Sequence, residues 1–245
     1  MMASPRAVPP GNPPPRFPLS HREEGLVEAM DLPDCNLASL RQTYRRFGLV
    51  NRWIAGWEGI YRRFVRPLLS PLRTTRVVDV GCGGGDVAGA LVRWAARDGL
   101  AVEVTAVDPD PRALAFAREH VPAPVRLLEM DSAGLLARGE GFDLALSNHV
   151  LHHLPDEAVS PFLFQLAELG ERRAICSDIE RSTLGYLLFS VGALPFARSS
   201  FIRDDGLLSI RRSFRREELG RLAPPGWRVM RRVPFRLLAL HDAGR

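Results

Sequence analysis

The sequence predicts an α/β protein with a doubly wound, mainly parallel sheet of seven strands and an antiparallel strand at its edge. Through residues 71–245, apolar runs of strand length alternate with segments of helical periodicity, which is typical of βαβ units. Only Pro234 separates the last two runs, so they predict a tight antiparallel turn. The predicted strands are 75–80, 102–108, 124–129, 142–147, 173–178, 227–233 and 235–240, and the predicted helices are 85–98, 110–120, 156–170 and 215–223.

Two segments precede this predicted domain. Seven of the first 18 residues are proline, which favours extended and poorly packed backbone, so residues 1–30 are predicted to be a flexible tail. In residues 31–70 apolar side chains recur every three to four positions from Leu40 to Leu68. This spacing predicts an N-terminal helical cap, with a break near Gly48.

The composition is that of a soluble globular protein, with 46% hydrophobic and 25% charged residues. All 33 basic residues are arginine, and the net charge is +5. The arginines lie in scattered pairs such as Arg172-Arg173, which favours a solvated surface and argues against a nucleic-acid partner.

Cysteine usage and apolar runs predict a cytoplasmic protein without a membrane span. Cys35, Cys82 and Cys176 are odd in number and widely spaced, so they indicate neither a disulfide framework nor a zinc site. The N-terminus lacks a secretory pattern. The longest apolar run, 185–197, is too short to cross a bilayer.

The stretch RVVDVGCGGGDVAGAL, residues 76–91, leads from a strand through three consecutive glycines into a helix. A P-loop is excluded because the sequence contains no lysine. A dinucleotide fingerprint requires glycine at the position of Asp86. Asp79 at the strand end would repel a pyrophosphate, but it suits a ligand that carries an ammonium group.

The segment VVDVGCGGG resembles motif I of the class I S-adenosylmethionine (SAM)-dependent methyltransferases. Over residues 74–180 the chain is most similar to their ubiquinone/menaquinone-methyltransferase-like small-molecule branch, which implies a Rossmann-like methyltransferase fold and SAM as cofactor. In VTAVDPD, Asp108 would bind the ribose hydroxyls, although it could instead cap a helix. In LLEMDS, Asp131 would accept from the adenine amino group, although it could be a turn residue. The resemblance implies a set of cofactor-binding residues: Asp79, Gly81, Gly83, Gly85, Asp108, Pro109, Asp131, Ser132 and Asn148.

The segment FDLALSNHVLHHLPD contains the candidate catalytic residues. A neutral histidine can take the proton of a phenol during methyl transfer, and His149 is the first candidate and His152 the second. The alternative is that these histidines cap a helix or pack over the cofactor. Residues 147–150 lack the [DNS]PP[YFW] pattern of enzymes that methylate bases. No carboxylate cluster is evident near the histidines in the sequence, so no metal site is predicted.

An insertion of more than thirty residues, 182–214, follows the fifth predicted strand and is rich in leucine and phenylalanine. Long insertions at a ligand edge often form lids or substrate pockets, although this one could complete the core. The predicted substrate-binding residues are His153, Asp178, Arg181, Phe189, Phe196 and Phe201.

Together these features predict an enzyme of secondary metabolism that transfers a methyl group from SAM to a small apolar or phenolic acceptor. The acceptor would be polyketide- or quinone-like and methylated on oxygen or carbon. The alternatives are an RNA or protein methyltransferase and a SAM-binding protein without transferase activity. The sequence fixes neither the acceptor nor the oligomeric state.

Overall fold

A computed structural model describes residues 12–53, 56–196 and 200–244. Its seven-stranded sheet has the order β3-β2-β1-β4-β5-β7-β6. Strands β1 to β5 are parallel, and β7 is antiparallel to both of its neighbours, β5 and β6. The predicted fold class is thereby confirmed, with the antiparallel strand one position in from the edge. The strands are β1 (Thr75–Val80), β2 (Val102–Asp108), β3 (Val125–Glu129), β4 (Phe142–Asn148), β5 (Gly170–Ile179), β6 (Trp227–Arg232) and β7 (Arg236–Asp242).

Helices cover both faces of the sheet because successive strand residues point to opposite sides. Val77 belongs to the cluster formed with α2 and α3, and Val78 belongs to the cluster formed with α6 and α9. The helices are α1 (Leu37–Trp53), α2 (Trp57–Ile60), α3 (Asp86–Arg97), α4 (Pro111–His120), α5 (Ser132–Ala137), α6 (Asp156–Leu169), α7 (Thr183–Gly192), α8 (Ile202–Arg212) and α9 (Arg216–Leu222). No helix of the described residues is long and apolar enough to cross a membrane.

The helical cap breaks later than predicted. Helix α1 continues through Gly48 to Trp53, and α2 begins after Gly56, which has a left-handed φ of 64°. A helical glycine costs only about 1 kcal/mol, so tertiary packing can override it, whereas a left-handed residue ends the helix. Ile54, part of the predicted apolar stripe, lies outside the described residues.

The prediction of a flexible tail is wrong for residues 12–30. Leu19 and Leu26 are buried, and the buried Arg181 guanidinium donates to the carbonyls of Leu19 and Ser20. Extended backbone leaves its carbonyls without local partners, and distant arginines supply the donors. Residues 1–11, the rest of the predicted tail, lie outside the described residues. We call residues 12–35 the N-terminal segment.

The fold brings several chain segments together at one edge of the sheet. The strand order changes direction at β1, which has β2 on one side and β4 on the other. Ligands of doubly wound sheets bind beyond the carboxyl ends of the strands at such a point. The N-terminal segment, α1, α7 and α8 contribute residues to a cavity at this edge.

Candidate active site

The three predicted loop glycines serve two different purposes. Gly81, Gly83 and Gly85 all have positive φ, of 70°, 53° and 76°. An added Cβ would lie 2.4 Å from Val150 Cγ2 at Gly81 and 2.4 Å from Val121 Cγ2 at Gly85. At Gly83 the nearest atom would be 3.9 Å away. Gly81 and Gly85 therefore permit close packing, whereas Gly83 leaves space in the cavity.

The cavity has a volume of about 700 Å³ and extends from the glycine loop to α7 and α8. It brings together more than half of the predicted site residues: Asp79, Gly81, Gly83, Asp108, Pro109, Asn148, His149, His152, His153, Phe189 and Phe196. The remaining predicted residues do not line it: Gly85, Asp131, Ser132, Asp178, Arg181 and Phe201.

Asp79 is a buried acid whose surroundings fit a cationic ligand. Burial raises its pKa to about 8, and the charges of Asp86 and Asp108 add to the effect. The backbone of Ala88 donates to the carboxylate, but the Oδ2 atom has no hydrogen-bond partner. Asp79 lines the cavity, and because buried polar atoms are seldom unpaired, its unpaired oxygen fits the ammonium group of SAM.

Asp108 at the end of β2 holds the glycine loop. Its carboxylate accepts from the N–H of Gly83 at 2.7 Å and from the N–H of Asp110 at 2.9 Å. Asp110, and not Asp108, is the N-cap of α4, so the capping alternative for Asp108 is wrong. A carboxylate offers about four lone-pair sites, which leaves acceptors for ribose hydroxyls.

Asp131 and Ser132 have structural partners instead of the predicted place in the cofactor site. The Asp131 carboxylate caps α5 by accepting from Gly134 N–H at 2.7 Å. Ser132 Oγ donates to Gln165 Oε1 at 2.6 Å. Asp131, predicted to contact adenine, is instead the N-cap of α5.

His149 cannot serve as the base through Nε2, contrary to the first prediction. Its Nε2 lies 2.7 Å from Arg236 Nη1, and a guanidinium only donates, so the Nε2 lone pair is already engaged. Burial and the Arg236 charge lower the His149 pKa well below its usual range. The imidazole is therefore neutral, with its proton on Nδ1.

His152, the second candidate, is oriented as a proton acceptor. Its Nδ1–H donates to Asp178 Oδ1 at 2.7 Å, and its backbone N–H donates to Asp178 Oδ2 at 2.8 Å. Burial alone would raise the Asp178 pKa, but the charge and hydrogen bond of His152 hold it well below its usual range. With Nδ1 fixed, Nε2 points to Glu28 Oε1 at 3.6 Å, and both residues line the cavity.

Asp178, Arg181 and Phe201, predicted to touch the substrate, instead support the site from behind. Asp178 orients His152. The side chain of Arg181 is fully buried, pairs with Glu218 and donates to backbone carbonyls of the N-terminal segment. Phe201 packs in the cluster between α1 and α4. The sequence around these residues gave no signal of their distant partners.

Sequence reasoning missed many cavity residues, among them Glu28, Asp205 and Arg236. Glu28 comes from the predicted tail, and Asp205 on α8 accepts from the N–H groups of Ala29 and Met30 at 2.8 and 2.9 Å. Arg236 at the start of β7 is buried and donates to Asn148 Oδ1 at 2.8 Å. Glu28 and Asp205 lie far apart in the sequence and have no local motif.

The reason given for expecting no metal is also wrong, because folding brings carboxylates to the histidines. Ligand atoms of Glu28, His152 and His153 lie within 4.8 Å of one another, as do those of His149, His152 and Asp178. However, His149 and His152 already have hydrogen-bond partners, and Arg212 Nη1 lies 3.6 Å from Glu28. The absence of a metal therefore stays a prediction.

A doubly wound sheet with a bare glycine loop, and with Asp79 and Asp108 beside that loop, fits a nucleoside cofactor that carries a positive charge better than it fits a phosphate. Residues 77–172 match the family model described as a methyltransferase domain. The resemblance to the SAM-dependent methyltransferases that was stated from the sequence is therefore confirmed for this region of the chain.

Similar proteins agree with this assignment. A ubiquinone biosynthesis O-methyltransferase of Azorhizobium caulinodans is 34% identical over 130 residues, which cover 51% of this chain and 48% of that protein. The chain thus spans about half the length of this curated relative. Human N-acetylserotonin methyltransferase, crystallised with SAM, shares the fold with a TM-score of 0.58 at 14% identity, covering 86% of this chain and 57% of that one. The plantazolicin methyltransferase BpumL with a monoazolic analogue and SAH gives a TM-score of 0.52 at 14% identity, covering 86% and 88%.

The affinity for SAM is expected to rise with pH through the titration of Asp79. The free protein holds this carboxyl with a pKa of about 8, and a bound ammonium group would lower that pKa. Binding therefore releases a proton, and affinity falls up to about tenfold per pH unit below pH 8. Calorimetry in buffers of different ionisation enthalpy measures this proton release, and the Asp79→Asn variant should abolish it. Proton release that persists in the variant would assign the effect to another group.

Proposed function

We propose that this protein transfers the methyl group of SAM to an oxygen or carbon atom of a small apolar or phenolic metabolite. The observation that carries the proposal is the His152–Asp178 pair: Asp178 fixes Nδ1, and the His152 imidazole lines the cavity together with the glycine loop and an apolar wall. SAM, when bound, supplies an electrophilic methyl group and leaves as a neutral thioether. The relatives named above act on small molecules, which supports the same class of acceptor here.

One pair of residues would bind the methyl donor, and another pair would act on the acceptor. Asp79 and Asp108 would hold the ammonium and ribose groups. His152 Nε2 would take the proton of a phenolic acceptor as its oxygen bonds to the methyl carbon. Asp178 keeps the imidazole in the Nδ1–H tautomer and stabilises the imidazolium that forms.

The insertion supplies an apolar wall for the acceptor. Leu188, Phe189 and Phe196 line the cavity, together with Ile202 and Ile210 of α8. A Cβ added at Gly206 would lie 2.6 Å from the Phe189 ring, so this glycine seats the ring between α7 and α8. Movement of this wall as a lid is a further part of the proposal.

Replacing His152 with alanine is expected to lower kcat by about 10²- to 10⁴-fold while the SAM Kd stays nearly unchanged. The variant keeps the cofactor residues but loses the proton acceptor. Transfer from labelled SAM to a panel of phenols measures the rate, and His21→Ala, an exposed histidine of the N-terminal segment, is the matched control.

Two other results would argue against this assignment. Full activity of His152→Ala would show that the acceptor loses its proton to water. SAM binding by the parent protein without transfer to any acceptor would favour a binding protein. Asp178→Asn should show a smaller loss of kcat than His152→Ala, because the imidazole stays in place and loses only the tautomer control and the charge stabilisation that Asp178 supplies.

Replacing Phe189 with alanine is expected to raise the acceptor KM about tenfold, because it removes apolar contact from the wall. Gly206→Ala should produce a similar change by displacing the Phe189 ring. The control is Leu187→Ala, a half-exposed residue of the same helix that does not line the cavity. If Phe189→Ala and Leu187→Ala gave equal kinetic effects, α7 would have no specific role in acceptor binding.

A further inference from the structure

Exposed apolar side chains are concentrated on α7 and the short turn that follows it. Between positions 184 and 194, large apolar side chains are exposed to between 50% and 67%: Leu184, Leu187, Leu188, Val191 and Leu194. The first four are spaced three or four positions apart on α7, so they share one side of the helix. We call these five residues the outer face of α7.

The opposite side of α7 is apolar as well. Phe189 and Gly192 line the cavity, and residues 182–196 contain no charged side chain. A surface helix of a globular protein normally turns a polar face to water, and a helix that is apolar all round is normally covered. A contiguous apolar patch on the surface marks an interaction site. The outer face of α7 therefore has the character of a surface that another body covers.

The N-terminal segment extends this apolar surface. The side chain of Phe17 is 52% exposed, and its ring centroid lies 5.5 Å from that of Tyr186 on α7. Arg16 precedes Phe17 in the chain and is exposed. The patch thus continues from α7 onto Phe17 and ends at a positive charge.

Two further arginines lie against α7 and the turn after it. Arg46 Cζ lies 5.1 Å from the ring centroid of Phe196, and Arg203 Nε donates to the Ser190 carbonyl at 3.3 Å. Asp204 pairs with Arg203 at 3.2 Å. Because residues 182–196 supply no carboxylate, arginines outnumber carboxylates along this border.

The outer face is also continuous with the cavity. Leu188 is more than half exposed to solvent, and it lines the cavity as well. The cavity wall and the outer face of α7 therefore meet at this side chain.

We propose that the outer face of α7, together with Phe17, binds the surface of a membrane that contains anionic lipids. The apolar side chains would enter the boundary between headgroups and acyl chains, and Arg16 and Arg46 would stay at the level of the lipid phosphates. This orientation would bring the part of the cavity wall at Leu188 to the bilayer. The proposal goes beyond the proposed function and does not depend on it, because it concerns a surface and not the reaction.

Charge favours a lipid surface over a second copy of the chain. In a symmetric contact, two outer faces would bring the same arginines together, and α7 offers no carboxylate to pair with them. Anionic headgroups supply the opposite charge that these arginines require.

The test is sedimentation of the full-length protein with lipid vesicles. One set of vesicles is phosphatidylcholine, and the other contains about one third phosphatidylglycerol. At low salt the protein is expected to bind the anionic vesicles about tenfold more tightly than the neutral ones, and about 0.5 M salt should remove most of this preference. Binding to neither set, or equal binding to both at low salt, would overturn the proposal.

Variants assign the binding to the outer face. The double variant Leu187→Gln/Val191→Gln should weaken binding to anionic vesicles at least tenfold, because two apolar side chains no longer enter the bilayer favourably. Leu72→Gln is the matched control. Leu72 is 95% exposed and precedes β1, so it lies at the edge of the sheet opposite the cavity. Unchanged vesicle binding by the double variant would overturn the proposal.

Arg16→Gln tests the charged border without altering α7. It should weaken binding to anionic vesicles about three- to fivefold, and binding to neutral vesicles should change little. Arg118→Gln, an exposed arginine on α4, is its control. Because Arg16 lies outside the helix, this variant keeps the test valid if the double variant does not fold.

Light scattering after gel filtration distinguishes the membrane from a second copy. A dimer that becomes a monomer in the double variant, in a protein that does not bind vesicles, would assign the outer face to self-association and overturn the proposal. The vesicle experiment contains neither SAM nor an acceptor. Its outcome is therefore independent of whether methyl transfer to any acceptor is found.

Discussion

Replacing Gly83 with valine is expected to weaken SAM binding by about 100-fold or more, a loss of roughly 2.7 kcal/mol. Gly83 lines the cavity, and an added Cβ there would meet no protein atom closer than 3.9 Å. The valine side chain can therefore occupy the cofactor's space while the loop keeps its packing. Calorimetric titration with SAM and with SAH measures the loss.

Gly99→Val is the matched control for this variant. Gly99 has a φ of 69° and no atom within 4 Å of an added Cβ, and it does not line the cavity. Both variants bear the cost of a left-handed side chain, roughly 1–2 kcal/mol. A folded Gly83→Val protein with the SAM affinity of the Gly99→Val control would remove the glycine loop from the cofactor site.

Replacing Asp108 with alanine is expected to lower SAM affinity by about 10- to 150-fold. A charge-assisted hydrogen bond contributes about 1.5–3 kcal/mol, and the carboxylate would make such bonds to the ribose. Loss of the Asp108 bond to Gly83 N–H also loosens the loop. Asp108→Asn should have a milder effect because the amide keeps one oxygen acceptor.

Asp131→Ala separates this role from the general effect of removing a carboxylate at a strand end. Asp131 follows β3 as Asp108 ends β2, but its partner is Gly134 and it lies outside the cavity wall. We expect its SAM affinity to stay within about twofold of the parent and its stability to fall by about 1 kcal/mol, as for loss of an N-cap. If Asp131→Ala lost SAM affinity as Asp108→Ala does, our correction of Asp131 to a capping residue would be wrong.

The sheet was predictable because its elements depend on local patterns. The predicted strand 75–80 and the predicted helices near 85–98 and 110–120 agree with β1, α3 and α4 to within one residue at each end. A parallel strand that is buried on both faces appears in the sequence as a continuous apolar run. Such a run can be recognised without knowing which strands or helices pack against it. Helix α5 was missed because its six residues are too few to show a periodicity.

That Asp79, Gly83 and Asp108 would lie in one cavity was predictable for a related reason. Asp79, Gly83 and Asp108 lie at the ends of successive strands or in the loop that follows, and parallel topology brings those ends together. The choice between His149 and His152 could not be made from the sequence, because it depends on Arg236 and Asp178. Glu28 was assigned to a flexible tail because the proline content gives no information on tertiary contacts. In the structure Arg181 and Arg212 bind this segment from distant parts of the chain.

The N-terminal segment and the insertion meet over the cavity, because Asp205 accepts from the N–H groups of Ala29 and Met30 and Thr183 accepts from Leu19 N–H. The region that matches the methyltransferase family, residues 77–172, contains the glycine loop and Asp108 but ends before α7 and α8. Glu28 and Asp205 lie on opposite sides of that region in the sequence. If the proposed function holds, exchanging residues 12–35 and 182–214 together, and leaving 77–172 in place, is the graft expected to change the acceptor while SAM binding is kept.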